Sequence, residues 1–237
     1  MMRAIAMMTV FLALGATSAL ADEAQIRKVM EAKLGGAKIE GVQPGPLGLY
    51  EVRFRSSSGM RVVYTDASAT HIFVGKIYET QSDRDITEER LRKLNAIKFE
   101  SLPFDQAVKV QRGNGKRVMA MFSDPYCPAC KQFEQTLQQI DDITIYVFMF
   151  PVIRPELAEQ SKAVWCSPDR AKAWLDVALR GKPPTAKASC ANPVDKNLEL
   201  GRSLGVNSTP TLVLATGERV TGGLGRADLT ELLDAGR

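Results

Sequence analysis

From Tyr50 to Arg55 apolar and charged side chains alternate, Tyr50-Glu51-Val52-Arg53-Phe54-Arg55. That period of two predicts a half-buried strand. Ser56-Ser57-Ser58-Gly59 reads as a turn, Arg61 to Thr65 as the returning strand and His71 to Glu79 as a third. Upstream, Ile26, Val29, Met30 and Leu34 fall on one face of a helix predicted over Asp22 to Leu34, and Gly35-Gly36 ends it. The result is a small α+β unit over residues 22–80. A unit of about sixty residues buries too little core to be comfortable alone. Pairing with a second copy is a physical remedy.

The polar run Gln81 to Asp85 breaks the pattern, and a helix is predicted to begin near Asp85 or Thr87. Its apolar side is Ile86, Leu91, Leu94 and Ile97, charges fill the rest, and it ends before Pro103. A mostly charged helix over residues 81–101 reads as a connector. From Leu102 to the end, strands and helices alternate. Strands are predicted over Arg117 to Phe122, Ile143 to Phe150, Thr211 to Ala215 and Arg219 to Thr221. Helices are predicted over Cys127 to Ile140, Glu156 to Leu179 and Ala227 to Ala235. Strand–helix–strand, a helical insertion, a hairpin and a closing helix give an α/β domain with a thioredoxin-like sheet over residues 102–237.

Composition narrows the class. The net charge of +4 is spread without a basic block, so nucleic acid is not indicated. At the start, Arg3 precedes an apolar run through Phe11, Leu12 and Leu14, followed by Ser18-Ala19-Leu20-Ala21. Small residues at positions 19 and 21 suit signal peptidase, so residues 1–21 read as a leader removed before Asp22. The competing reading is a membrane anchor, for which the apolar run is short. Four cysteines remain, Cys127, Cys130, Cys166 and Cys190, an even count that favours disulfides in an oxidising compartment.

The close pair lies in Ser123-Asp124-Pro125-Tyr126-Cys127-Pro128-Ala129-Cys130, between a predicted strand and a predicted helix. A cysteine at a helix N-terminus meets unpaired backbone N–H groups and the positive end of the helix dipole, which stabilise its thiolate. A second cysteine three residues on reaches back to close a disulfide, so the first attacks and the second resolves the mixed disulfide. Pro128 suits the first helical turn and also removes one donor from the Cys127 sulfur. Zinc is the rival reading, but His71 is the only histidine and no second close pair exists. A structural bridge over so short a loop constrains the unfolded chain little. No metal or cofactor is expected.

Cys166 and Cys190 flank Pro183-Pro184. A bridge there would close a loop of about 25 residues and contribute about 3–3.5 kcal/mol in the chain-entropy model. The alternative is a second shuttle pair, although neither cysteine opens a helix beside its partner. A structural bridge is expected to be buried and to outlast Cys127–Cys130 under mild reductant. Thr209-Pro210 opens an apolar strand, a position that proline tolerates. His71 reads as a strand or interface residue, and Trp165 and Trp174 as core.

Three segments together resemble the DsbC/DsbG family of periplasmic disulfide isomerases. They are Asp124 with Cys127-Pro128-Ala129-Cys130, Val164-Trp165-Cys166 with Ala188-Ser189-Cys190, and Leu204-Gly205-Val206 with Thr209-Pro210. The resemblance implies a cystatin-like N-terminal dimerisation domain, a V-shaped homodimer and a periplasmic location. It implies Cys127 as nucleophile, Cys130 as resolving thiol, Cys166–Cys190 as a structural disulfide, and Thr209 with cis-Pro210 lining the substrate groove. The implied partners are misfolded exported proteins and a DsbD-like membrane thiol reductase as electron donor. One departure is plain: DsbC carries Gly-Tyr between its cysteines and DsbG Pro-Tyr, where this chain has Pro128-Ala129. Isomerase or reductase is the expected activity, with a thiol oxidase or a cleft-based holdase chaperone as alternatives.

Overall fold

The computed structural model describes residues 16–57 and 59–236, with side chains from Glu23 onward. Most of the expected leader, residues 1–15, lies outside the described residues. The chain divides into two compact units, the first holding residues up to 56 together with 60–87, the second holding 57–59 and everything from Glu88. No helix among the described residues is long and apolar enough to cross a membrane.

In the first unit, helix α1 (Ala16–Lys33) starts earlier than the apolar spacing predicts. It packs Ile26 and Met30, both fully buried, against Ile39, Val42, Val52 and Val63. Each such side chain contributes about 1.5–3 kcal/mol by burial. The sheet beneath runs β1 (Ile39–Pro44), β2 (Tyr50–Ser56), β3 (Gly59–Thr65) and β4 (Ile72–Phe73), in that order. Strand β1 has no sequence expectation behind it. Its alternation is broken where the register shifts between Ile39 and Gly41, and Gly41 sits where a Cβ would strike the Arg53 guanidinium.

The third strand expected over His71 to Glu79 is corrected. After β3 the Asp66 carboxylate accepts hydrogen bonds from the backbone N–H groups of Thr70 (2.8 Å) and His71 (2.9 Å) and from the hydroxyls of Thr65, Ser68 and Thr70. These bonds hold that carboxyl far below the usual carboxylate range. They bend the chain, so His71 lies in the loop with its ring exposed, and pairing with β3 covers Ile72 and Phe73 alone. Beyond Gly75 the chain leaves that sheet. β5 (Tyr78–Glu79) pairs instead with β6 (Arg84–Asp85), and the Thr87 hydroxyl ties Tyr64 to the Ile77 N–H. Helix α2 (Ile86–Leu94) is shorter than its apolar spacing predicts. Ile97 lies past its end, with its N–H bonded to the Gly217 carbonyl.

The second unit is a five-stranded sheet in the order β11-β10-β8-β9-β7. Its strands are β7 (Val108–Arg112), β8 (Arg117–Ser123), β9 (Ile143–Met149), β10 (Thr211–Leu214) and β11 (Arg219–Thr221). β8 and β9 run parallel through the crossover helix α3 (Pro128–Leu137), and β7–β9, β8–β10 and β10–β11 pair antiparallel. Helices α4 (Ala158–Cys166), α5 (Arg170–Arg180), α6 (Val194–Ser203) and α7 (Arg226–Asp234) complete it. Met119 and Met121 of β8 face one core with Phe133, Leu137, Trp174 and Leu229, while Ala120 and Phe122 face another with Phe148 and Phe150. A strand buried on both faces reads as an apolar run without alternation, which is how β8 and β9 read.

The helical region expected over Glu156 to Leu179 is two helices, separated at Ser167-Pro168 where proline cannot continue the first. Trp165 and Trp174 are core. Strand β7 and helix α6 have no sequence expectation. α6 buries Val194, Asn197 and Gly201, too polar a face to announce itself. Gly201 is required there because a Cβ would lie 2.4 Å from the Phe150 ring.

Candidate active site

Strand β8 ends at Ser123, Asp124-Pro125-Tyr126 turns the chain, and Cys127 is the N-cap of α3 with φ −75° and ψ 123°. Pro128 takes the first helical turn. The Cys127 N–H donates to the Asp124 carbonyl at 3.1 Å, and the Cys130 N–H donates to the Cys127 sulfur at 3.4 Å. A cysteine sulfur in the N-cap position takes the place of the usual Ser or Asp oxygen.

The turn is braced from the helical insertion. Asp124 is fully buried, and its carboxylate accepts from the N–H of Tyr126 and of Ile153, each at 2.8 Å. The Tyr126 hydroxyl donates to the side-chain oxygen of Gln160 on α4. Burial first and the nearby Asp124 second raise the Tyr126 phenol above its ordinary value, so it remains a donor.

The other wall comes from β10. The Thr209–Pro210 peptide is cis, the Cys127 thiol donates to the Thr209 carbonyl at 3.4 Å, and Gly222 N–H bonds to the Pro210 carbonyl at 2.8 Å. The two sulfurs are not bridged, and Cys127 is 4% and Cys130 1% exposed. Burial pushes the Cys130 thiol up to about 12, opposed by the Ser123 hydroxyl, the Asp124 backbone and the Thr209 hydroxyl. The pair is therefore asymmetric, the helix-start sulfur fed by a backbone donor and its partner held protonated. Beside it a cavity of about 280 Å3 lies between Ala129, Gln132 and Phe133 of α3 and the segment Gly223 to Gly225.

The structure thus brings Cys127, Cys130, Thr209 and Pro210 to one place and leaves Cys166 and Cys190 apart from them. Those two are bridged, with Cα atoms 5.7 Å apart. The expectation of a buried bridge is corrected, since Cys166 is half-buried and Cys190 exposed. Cys190 sits in an irregular segment between α5 and α6 that carries Pro183-Pro184 and runs along the surface. His71 belongs to the first unit. No cluster of three or more metal-ligating side chains occurs among the described residues.

Sequence reading does not single out Glu134, which is buried one helical turn beyond Cys130. The spacing of four residues from an inward-facing cysteine was the available signal.

Comparison with known proteins follows this division. The family model described as thioredoxin-like domain matches residues 104–237, and the disulfide bond isomerase protein N-terminal domain matches residues 17–88. The chain is 41% identical over 216 residues to the probable thiol:disulfide interchange protein DsbC of Bordetella pertussis, covering 90% of this chain and 75% of that one. It is 29% identical over 223 residues to the DsbC of Escherichia coli, covering 91% and 89%. Among solved structures, a disulfide interchange protein from Neisseria gonorrhoeae superimposes with a TM-score of 0.55 at 41% identity, over 57% of this chain and 98% of that one.

Proposed function

The chain belongs to the DsbC family of thiol:disulfide interchange proteins, and from that premise we propose how its residues carry out disulfide isomerisation. Cys127 attacks a client disulfide as thiolate and forms a mixed disulfide with one client sulfur. The released client thiol then attacks elsewhere in the client, or Cys130 attacks the Cys127 sulfur and frees the client reduced. Thr209 and Pro210 form the groove in which the client backbone lies, and the Cys166–Cys190 bridge is structural.

The observation that carries this reading is the position of Cys127 at the cap of α3, its sulfur receiving the Cys130 N–H and facing the Thr209 carbonyl. A buried thiol held at high pKa beside it is slow to close the pair, which leaves time for rearrangement within the mixed disulfide. The relatives named DsbC favour isomerisation over net oxidation. The leader-like start supports a periplasmic site of action, where a DsbD-like membrane thiol reductase would keep the pair reduced. The first unit supports a homodimer, because its edge strand β4 and the residues after it expose Phe73, Val74 and Tyr78.

Trapping tests the assignment of roles. Cys127→Ala is expected to abolish exchange, and Cys130→Ala to accumulate mixed disulfides with scrambled clients on non-reducing gels. Trapping by the Cys127 variant in place of the Cys130 variant would reverse the two roles.

A further inference from the structure

We propose that Ser123 is a further catalytic residue, its hydroxyl and that of Thr209 stabilising the Cys130 sulfur as it becomes the anion that resolves the mixed disulfide. The inference rests on the reading of Cys130 as the resolving thiol.

Position comes first. Ser123 is the last residue of β8, flanked by β9 through its pairing with Met149. The β8–β10 pairing ends with Phe122 opposite Thr211, one residue short of Ser123 on one strand and of Pro210 on the other. Side chains alternate along a strand, so Ser123 follows Met119 and Met121 onto the face that α3 covers. That face holds the buried side of α3, which begins with Cys130.

Chemistry comes second. Ser123 is fully buried, and neither its hydroxyl oxygen nor that of Thr209 makes a hydrogen bond among the described residues. A serine at a strand end ordinarily bonds to nearby backbone. This one does not. A buried hydroxyl without a partner is costly, which calls for a compensating role at the site. The Ser123 and Thr209 hydroxyls favour the Cys130 anion, against a burial penalty that works the other way.

In the resolving step Cys130 attacks the Cys127 sulfur. The Cys127–client S–S bond breaks as the Cys127–Cys130 bond forms, and the proton that Cys130 carried ends on the departing client sulfur. No outside oxidant is needed, because the client disulfide is reduced as the pair is oxidised. Negative charge passes through the Cys130 sulfur in a site almost closed to water. Hydroxyl dipoles already in place there cost no reorganisation. Its charged or titratable neighbours are Cys127 across the turn, the Asp124 carboxylate, which faces backbone N–H groups, and Glu134 one turn along α3.

The experiment uses the reduced full-length protein and glutathione disulfide as the probe, with acid quenching and mass detection of the Cys127–glutathione adduct. Cys130→Ala should hold the adduct, and Ser123→Ala should lengthen its lifetime about tenfold to a hundredfold relative to its rate of formation, the worth of one hydrogen bond to an ionised group. Ser123→Thr and Ser123→Val have the same shape, so a shorter adduct lifetime in the threonine variant reads the hydroxyl even if both pack imperfectly. Equal adduct lifetimes in those two, with Cys130→Ala still trapping, would overturn the role of Ser123. If Cys130→Ala fails to trap, the reading of Cys130 is what fails.

Discussion

Trp174 donates its indole N–H to the Glu134 carboxylate at 2.8 Å, with both side chains buried between α3 and α5. Arg112 of β7 is the nearby positive charge, its own guanidinium bonded to the carbonyls of Ile140 and Leu137 at the end of α3 and beyond it. A polar cluster thus joins the redox helix, the helical insertion and the edge strand. Burial raises the Glu134 carboxyl to about 7, against the opposing pull of the Trp174 bond and the Arg112 charge.

That elevation has a sign. The folded state keeps the Glu134 proton where the unfolded chain has lost it, so stability is fullest below the unfolded pKa and falls as pH rises to about 7. Glu134→Gln retains an acceptor for Trp174 and removes the titration. The variant should match the parent at pH 4 to 5 and exceed it at pH 8 by on the order of 1–3 kcal/mol, less whatever Arg112 loses with its partner. Urea unfolding at both pH values measures this. A variant less stable than the parent at pH 8 would mean that the charged pair is worth more than its burial costs.

Asp124→Ala should loosen the turn that presents Cys127, because the Tyr126 and Ile153 N–H groups lose the carboxylate that accepts from them. Hydrogen bonds to a carboxylate are the strong kind, so the loss should be about 3 kcal/mol. Hydrogen exchange at Tyr126 and Ile153 would report it locally. Unchanged protection at both amides would show that the brace is dispensable.

How much of this was legible in the sequence depends on how far apart the partners lie. The apolar runs of β8 and β9 and the cysteine turn between strand and helix are local patterns, and they predict the sheet centre and the redox pair. Strand β7 reads Val-Lys-Val-Gln-Arg, a true alternation but short, and β1 hides behind Gly41 and its irregular register. Helix α6 packs through a glycine against Phe150, an arrangement that depends on its neighbour's shape. Ser123 is plain in the motif, yet its meaning depends on the long-range pairing of β8 with β10. The Asp66 turn shows the reverse case: its bonds are local, but they override the strand-like pattern of the residues that follow.

Cys166→Ala with Cys190→Ala should lower stability by about 3 kcal/mol through the freed loop of about 25 residues. The exposed Cys190 gives small reductants a direct route to the bridge, so protection from burial is not expected. Mass mapping after graded reduction should still find Cys127–Cys130 opening first, because closing so short a loop gains less than closing one of about 25 residues. A double variant as stable as the parent would deny the bridge its structural role.

Dimerisation is predicted to run through β4. The two edges of the first sheet differ in character. β1 presents Glu40 and Pro44 to solvent, a charge and a proline that discourage pairing. β4 exposes Ile72 (39%) and Phe73 (48%), Val74 (77%) follows directly, and among the described residues β4 pairs with β3 alone. An apolar, unprotected edge invites a second copy, and a two-fold axis would let β4 meet its own equivalent. Phe73→Glu with Val74→Glu would bring like charges together there, and Val74→Glu alone leaves the ring contact between Phe73 and the buried Tyr64 in place. Light scattering should show a dimer for the mature protein and a monomer for the variant. Refolding of a scrambled disulfide protein should slow, because a lone catalytic unit offers no shared cleft to hold a client through repeated exchanges. Exchange with glutathione disulfide should continue, since Cys127 lies in the other unit. A variant that stays dimeric would move the interface away from β4, and a monomeric parent would remove the dimer altogether.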